Sequence, residues 1–98
     1  MRVFTRATLR EFWNKTNDAR PALEFWYDSI EKNHFQNPNE VIKFFKNADT
    51  VGNGRIVFNI ARNKYRLVAK FEYEKQLVFV RFLGTHAQYD IIENSKET

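Results

Sequence analysis

The chain has 98 residues, enough for one domain, and its lack of cysteine excludes both a disulfide framework and a thiolate metal cluster. Sixteen basic against twelve acidic residues leave a net charge of +4, and two distant histidines supply no metal-ligand motif. No stretch approaches the roughly 20 apolar residues of a membrane span, and the opening MRVFTRATLREFWNK lacks a signal-peptide core, so a soluble, unexported, cytoplasmic protein is expected.

Arg2 to Phe4 reads as a short edge strand. Thr8 and Glu11 stand at capping-box spacing beside Leu9, Phe12 and Trp13, which predicts a first helix over residues 7–16. Asp18 is the expected cap of a second helix, with Pro21 in its first turn and Leu23, Trp26, Tyr27 and Ile30 at helical spacing as far as about residue 33. Asn37 and Pro38 open a third, shorter helix whose inward face is read as Val41, Phe44 and Phe45. In VGNG the pattern changes from helical to strand periodicity.

Ile56, Phe58 and Ile60 alternate with Arg55, Val57 and Asn59, and Tyr65, Leu67, Ala69, Phe71 and Tyr73 alternate with Lys64, Arg66, Val68, Lys70 and Glu72. Turns near Arg62–Asn63 and near Lys75 then join three antiparallel strands, the last with Val78, Val80 and Phe82 on one face and Leu77, Phe79, Arg81 and Leu83 on the other. The whole is an α+β fold, with N-terminal helices on one face of a small antiparallel sheet, in a single domain over residues 1–98 with a frayed tail over 93–98. Which strand parity meets the helices is left undecided by the pattern.

Charge is concentrated in this sheet: residues 54–75 hold six basic residues against two acidic ones. A face carrying such an excess is the footprint expected for a phosphate backbone, although a solvated hairpin surface has the same composition.

The pieces NKYRLV and GTHAQYD, in that order within NGRIVFNIARNKYRLVAKFEYEKQLVFVRFLGTHAQYDII, resemble the HigB family of toxins in the RelE-like superfamily of mRNA interferases. RATLREFWNK and NPNEVIKFFKNADTV are similar to that family's helical region, so the resemblance spans residues 1–92. It implies a RelE-like fold and the toxin of a bacterial toxin-antitoxin operon, an endoribonuclease that cuts mRNA in the ribosomal A site. It also implies neutralisation by HigA, a helix-turn-helix antitoxin.

Metal-free RNA cleavage uses the ribose 2′-hydroxyl as nucleophile and needs no cofactor, only groups that orient it, move protons and stabilise the phosphorane. The resemblance assigns Arg66 to the scissile phosphate, its bland alternative being an ion pair with Glu72 or Glu74. His86 is the candidate general acid or base, with a side-chain pKa of ~6.5 when unperturbed. Asp90 and Tyr89 follow it on one helical turn if Thr85 opens a helix, Asp90 to orient the imidazole and Tyr89 to hold a phosphate or stack on a base. Arg55, Arg62, Lys64, Lys70 and Arg81 are the RNA-binding candidates, and Lys64 and Lys70 stay open as alternative bases. Two readings from other classes also remain: a non-catalytic RNA- or ribosome-binding domain, and a protein-interaction module with a basic docking face.

Overall fold

Hydrophobic alternation in the second half of the chain and 3.6-residue periodicity in the first produce the architecture of the computed structural model, which describes residues 1–95. The elements are β1 (Arg2–Val3), α1 (Arg6–Lys15), a 3-10 turn (Asn17–Ala19), α2 (Arg20–Lys32), α3 (Pro38–Phe45), β2 (Ala48–Val51), β3 (Arg55–Ile60), β4 (Tyr65–Glu72), β5 (Leu77–Thr85) and α4 (His86–Ser95). They form an α+β fold around one five-stranded sheet of order β1-β5-β4-β3-β2. Only β1 runs parallel to its neighbour; the other pairings are antiparallel.

The parity left undecided by the sequence is settled by the aromatic core. Phe58, fully buried on β3, meets the Trp26 ring of α2 edge-on at 5.5 Å and the Phe45 ring of α3 edge-on at 5.1 Å. Ile56 and Ile60 beside it, and Leu67, Ala69 and Phe71 on β4, share that face with Leu9 and Leu23 from the helices. Truncating a buried ring of this kind typically costs about 3–5 kcal/mol, so this contact set outweighs any local propensity.

Several expectations change at element ends. The capping box at Thr8 and Glu11 does not form: α1 begins earlier, at Arg6, and the Thr5 hydroxyl accepts from the Val80 backbone N–H at 2.8 Å, tying the helix entry to β5. Asp18 does not cap α2, because its carboxylate is turned toward β4. Asn37 does cap α3, accepting from the Glu40 N–H at 3.1 Å ahead of Pro38. Of the expected inward face of α3, Val41 is fully buried but Phe44 is 44% exposed, packing edge-on against Phe35 and Phe45 instead. β2 is an addition, since ADTV buries only Ala48 and carries no alternation to announce a strand.

The largest correction lies in β5. The register slips between Val68 and Ala69, so Val68 pairs with Phe82 while Ala69 pairs with Val80, leaving Arg81 as an extra residue. This bulge inverts the phase of the strand beyond it: Phe82 moves to the face away from the helices and Leu83 packs on the core. The expected frayed tail from residue 93 is helical as far as Ser95; residues 96–98 lie outside those described.

Candidate active site

On the face turned away from α1 and α2, strand pairing sets out three rows. Arg55 stands opposite Lys70, Val57 opposite Val68, and Asn59 opposite Arg66. β5 extends these rows with Phe79 beside Lys70, Phe82 beside Val68 and Gly84 beside Arg66. Val57 and Val68 are buried, making an apolar floor between two basic rows. Two cations directly opposite one another repel, and like-charged cross-strand pairs lower stability. The Arg55–Lys70 pair is not offset: among the described residues neither side chain has a carboxylate within ion-pair distance, and Arg55 Nε is buried without an acceptor.

Arg66 is half-buried, and its Nη1 donates to the backbone carbonyls of Asn63 at 3.1 Å and Tyr65 at 3.3 Å. The alternative ion pair with Glu72 or Glu74 is absent among the described residues, so no carboxylate there competes with an incoming anion for the guanidinium. Carbonyls orient it without neutralising it.

The His86 backbone N–H donates to the Lys64 carbonyl at 3.1 Å, which fixes the start of α4 beside the strand carrying Arg66. Thr85 opens this helix with a reciprocal capping pair: its hydroxyl accepts from the Gln88 N–H at 3.1 Å, and Gln88 Oε1 accepts from the Thr85 N–H at 2.9 Å. One turn along, Asp90 Oδ2 lies 3.4 Å from His86 Nε2, long for a hydrogen bond but close enough to attract an imidazolium. Tyr89 faces the sheet, its ring 6.1 Å from that of Phe82. Thus Arg66, His86, Tyr89 and Asp90 gather where the ends of β4 and β5 meet α4.

The five binding candidates divide. Arg55 and Lys70 share the open face with Arg66. Arg62 and Lys64 instead border a recess beside Asp18 and Pro21, and Arg81 borders one beside Thr8, Glu11 and Lys15 of α1. Lys64 is further committed by an ion pair, its Nζ 3.1 Å from Asp18 Oδ2. His34 is exposed, and its Nδ1 lies 3.3 Å from Gln36 Nε2.

Two contributors were not legible as such. Gly84 lets α4 approach: a Cβ there would stand 2.5 Å from Gln88 Oε1 and 2.9 Å from Phe82 Cζ. Asp18 reaches across 47 residues to accept from the Tyr65 hydroxyl at 2.7 Å, and holds Lys64 with its other oxygen. The Tyr65 hydroxyl, then the Lys64 ammonium, hold the Asp18 carboxyl below its ordinary range, and the same bond to Asp18 holds the Tyr65 phenol above its own.

Gly84→Ala is expected to break the Thr85–Gln88 pair, costing about 1 kcal/mol. Hydrogen exchange checks it, with faster exchange of α4 amides and unchanged exchange in β3. For pH, a lowered carboxyl pKa stabilises the fold above the unfolded value of 3.8 and loses that stabilisation as pH falls through the lowered value. The raised Tyr65 pKa acts oppositely, its contribution being present below 10.0 and lost as pH climbs through the raised value. Denaturant titrations at several pH values should therefore show Asp18→Asn flattening the acid limb of the stability curve relative to the wild type.

Residues 19–92 match the family model of HigB_toxin, described as the RelE-like toxic component of a toxin-antitoxin system. The mRNA interferase toxin HigB of Escherichia coli strain K12 is 27% identical over 92 residues, spanning 92% of this chain and 88% of its own. The mRNA interferase HigB of Shigella flexneri matches to the same extent, and that of Escherichia coli O6:H1 is 27% identical over 89% of its length. By this match over most of its length, the chain belongs to the HigB family of RelE-like toxins.

Proposed function

We propose that this chain is an mRNA endoribonuclease, the toxin of its pair, and that it cuts messenger RNA in the ribosomal A site. Its partner is a HigA-type helix-turn-helix antitoxin, and its place of action is the cytoplasm; among the described residues no helix is long and apolar enough to cross a membrane. The observation that carries the reading is Arg66, oriented by two carbonyls and matched by no carboxylate among the described residues, on the same face as the Arg55–Lys70 pair. The names of the 27%-identical relatives point to the same chemistry.

In this mechanism the 2′-oxygen bonds to the adjacent phosphorus as the bond to the leaving 5′-oxygen breaks. One proton leaves the 2′-hydroxyl and one reaches the 5′-oxygen, so the protein ends as it began. With His86 Nε2 turned toward Asp90, Nδ1 is the nitrogen left to move a proton. Arg66 binds the non-bridging oxygens as charge accumulates on them, a contact that strengthens in the transition state. Tyr89, its ring 6.1 Å from that of Phe82 on the face that carries Arg66, is the aromatic residue placed to meet a base.

Arg66→Ala and His86→Ala are each expected to lower the cleavage rate by about 10²–10⁴-fold while leaving the fold intact. Primer extension on messenger RNA after brief induction would read this out as in-frame cuts present with the wild type and missing with both variants; folded variants that cut at the wild-type rate overturn the mechanism. Lys70→Thr relieves the repulsion with Arg55 and is expected to raise stability by roughly 0.2–1 kcal/mol. The same change should weaken RNA binding and reduce its salt dependence, checked by affinity measured across a salt series.

A further inference from the structure

Resting on that reading of Arg66 and His86, we propose that Asp18, in the turn between α1 and α2, is a positioning residue that holds the 63–65 backbone in the shape both site residues require. The three carbonyls of that stretch are all engaged. Those of Asn63 and Tyr65 orient the Arg66 guanidinium, and that of Lys64 holds the His86 N–H. A single carboxylate grips the side chains of the stretch's last two residues, Lys64 at 3.1 Å and Tyr65 at 2.7 Å.

The segment needs such a grip. Ala61, Arg62 and Asn63 are consecutive non-glycine residues with φ of 51°, 56° and 71°. Left-handed conformations cost such residues energy and persist where surrounding structure over-determines them. Within the turn the backbone supplies Lys64 N–H to Ala61 C=O at 3.2 Å, the β3–β4 ladder resumes at the Ile60–Tyr65 pair, and Asp18 adds a side-chain anchor at the exit. Tyr65 is steadied further by Phe12, whose ring meets it edge-on at 5.4 Å.

An exposed ion pair of this type adds little to global stability. Its effect is on placement, and displacement of a catalytic group by about 1 Å can cost ~10²-fold in rate. The family match begins at residue 19, so Asp18 lies just outside it.

The test uses the full chain with Asp18→Ala, Asp18→Asn and Tyr65→Phe, reading the His86 amide by hydrogen exchange and cleavage by kcat and KM separately. Asp18→Ala is expected to speed exchange at His86 roughly tenfold with Phe58 unchanged, since the opening is local. It should lower kcat by at least as much with KM held, and Asp18→Asn, which keeps an acceptor for Tyr65, should recover most of both. Wild-type His86 exchange in Asp18→Ala and Tyr65→Phe overturns the proposal, as does a loss of kcat that vanishes once the unfolded fraction is subtracted. If Arg66→Ala proves fully active, the nuclease mechanism has failed, and the exchange measurement still decides the role of Asp18.

Discussion

Phe58 sits at the centre of β3 with Trp26 and Phe45 edge-on above it, and its burial commits the sheet to one covered face. Strand geometry does the rest. Because side chains alternate, fixing Phe58 inward sends Val57 and Asn59 outward, and the β3–β4 register then sets Arg66 beside Asn59 and Lys70 beside Arg55. A slip of one residue would put these cations into the core, which makes that register costly to lose. The placement of the basic face is thus a consequence of aromatic packing on the other side of the same strands.

Bringing α4 to that face takes one irregularity. Had β5 kept its alternation past Val80, Phe82 and Gly84 would follow Val80 toward the helices, and the chain would leave the strand on the covered side. The extra residue at Arg81 reverses the phase, so Gly84 emerges next to Arg66 and α4 packs over the open face. Gly84 sets how close it comes, the Thr85–Gln88 pair sets where the helix starts, and His86 follows from both.

These features differ in how they are written in the sequence. Periodicity carries local information, which is why three N-terminal helices, the Asn37–Pro38 cap and the three long strands were legible. β2 was not, because a four-residue edge strand with one buried side chain has no period to detect. Nor was the bulge: QLVFVRFLG alternates equally well with or without a break, and the choice is made by pairing with β4. Asp18 was misread for the same reason. An acidic residue just ahead of a helix has a local use as a cap, but here its partners lie 46 and 47 residues away. At the site, Arg66 and the 86–90 turn were marked by resemblance to a family, whereas the split among the five binding cations depends on strand faces that the sequence left open.

Charge placement separates structural cations from functional ones. Where the fold needs a cation held, it supplies an acid: Asp18 for Lys64, Glu24 for Arg20, with Arg20 also over the Trp13 ring. On the open face the acids are near but not engaged. Glu72 follows Lys70 at the next outward position of β4, and Asp49 pairs with Val57 from β2, yet neither is within ion-pair distance of Arg55, Arg66 or Lys70 among the described residues. Local rules for a stable sheet would place an acid opposite one of these cations. A sheet that keeps Arg55 against Lys70 gives up stability for positive potential, and such conflicts concentrate where a surface must receive a ligand of opposite charge. Between the two basic rows the Val57–Val68 floor excludes water, so a phosphate settling beside Arg66 meets a field less screened than on an open polar surface.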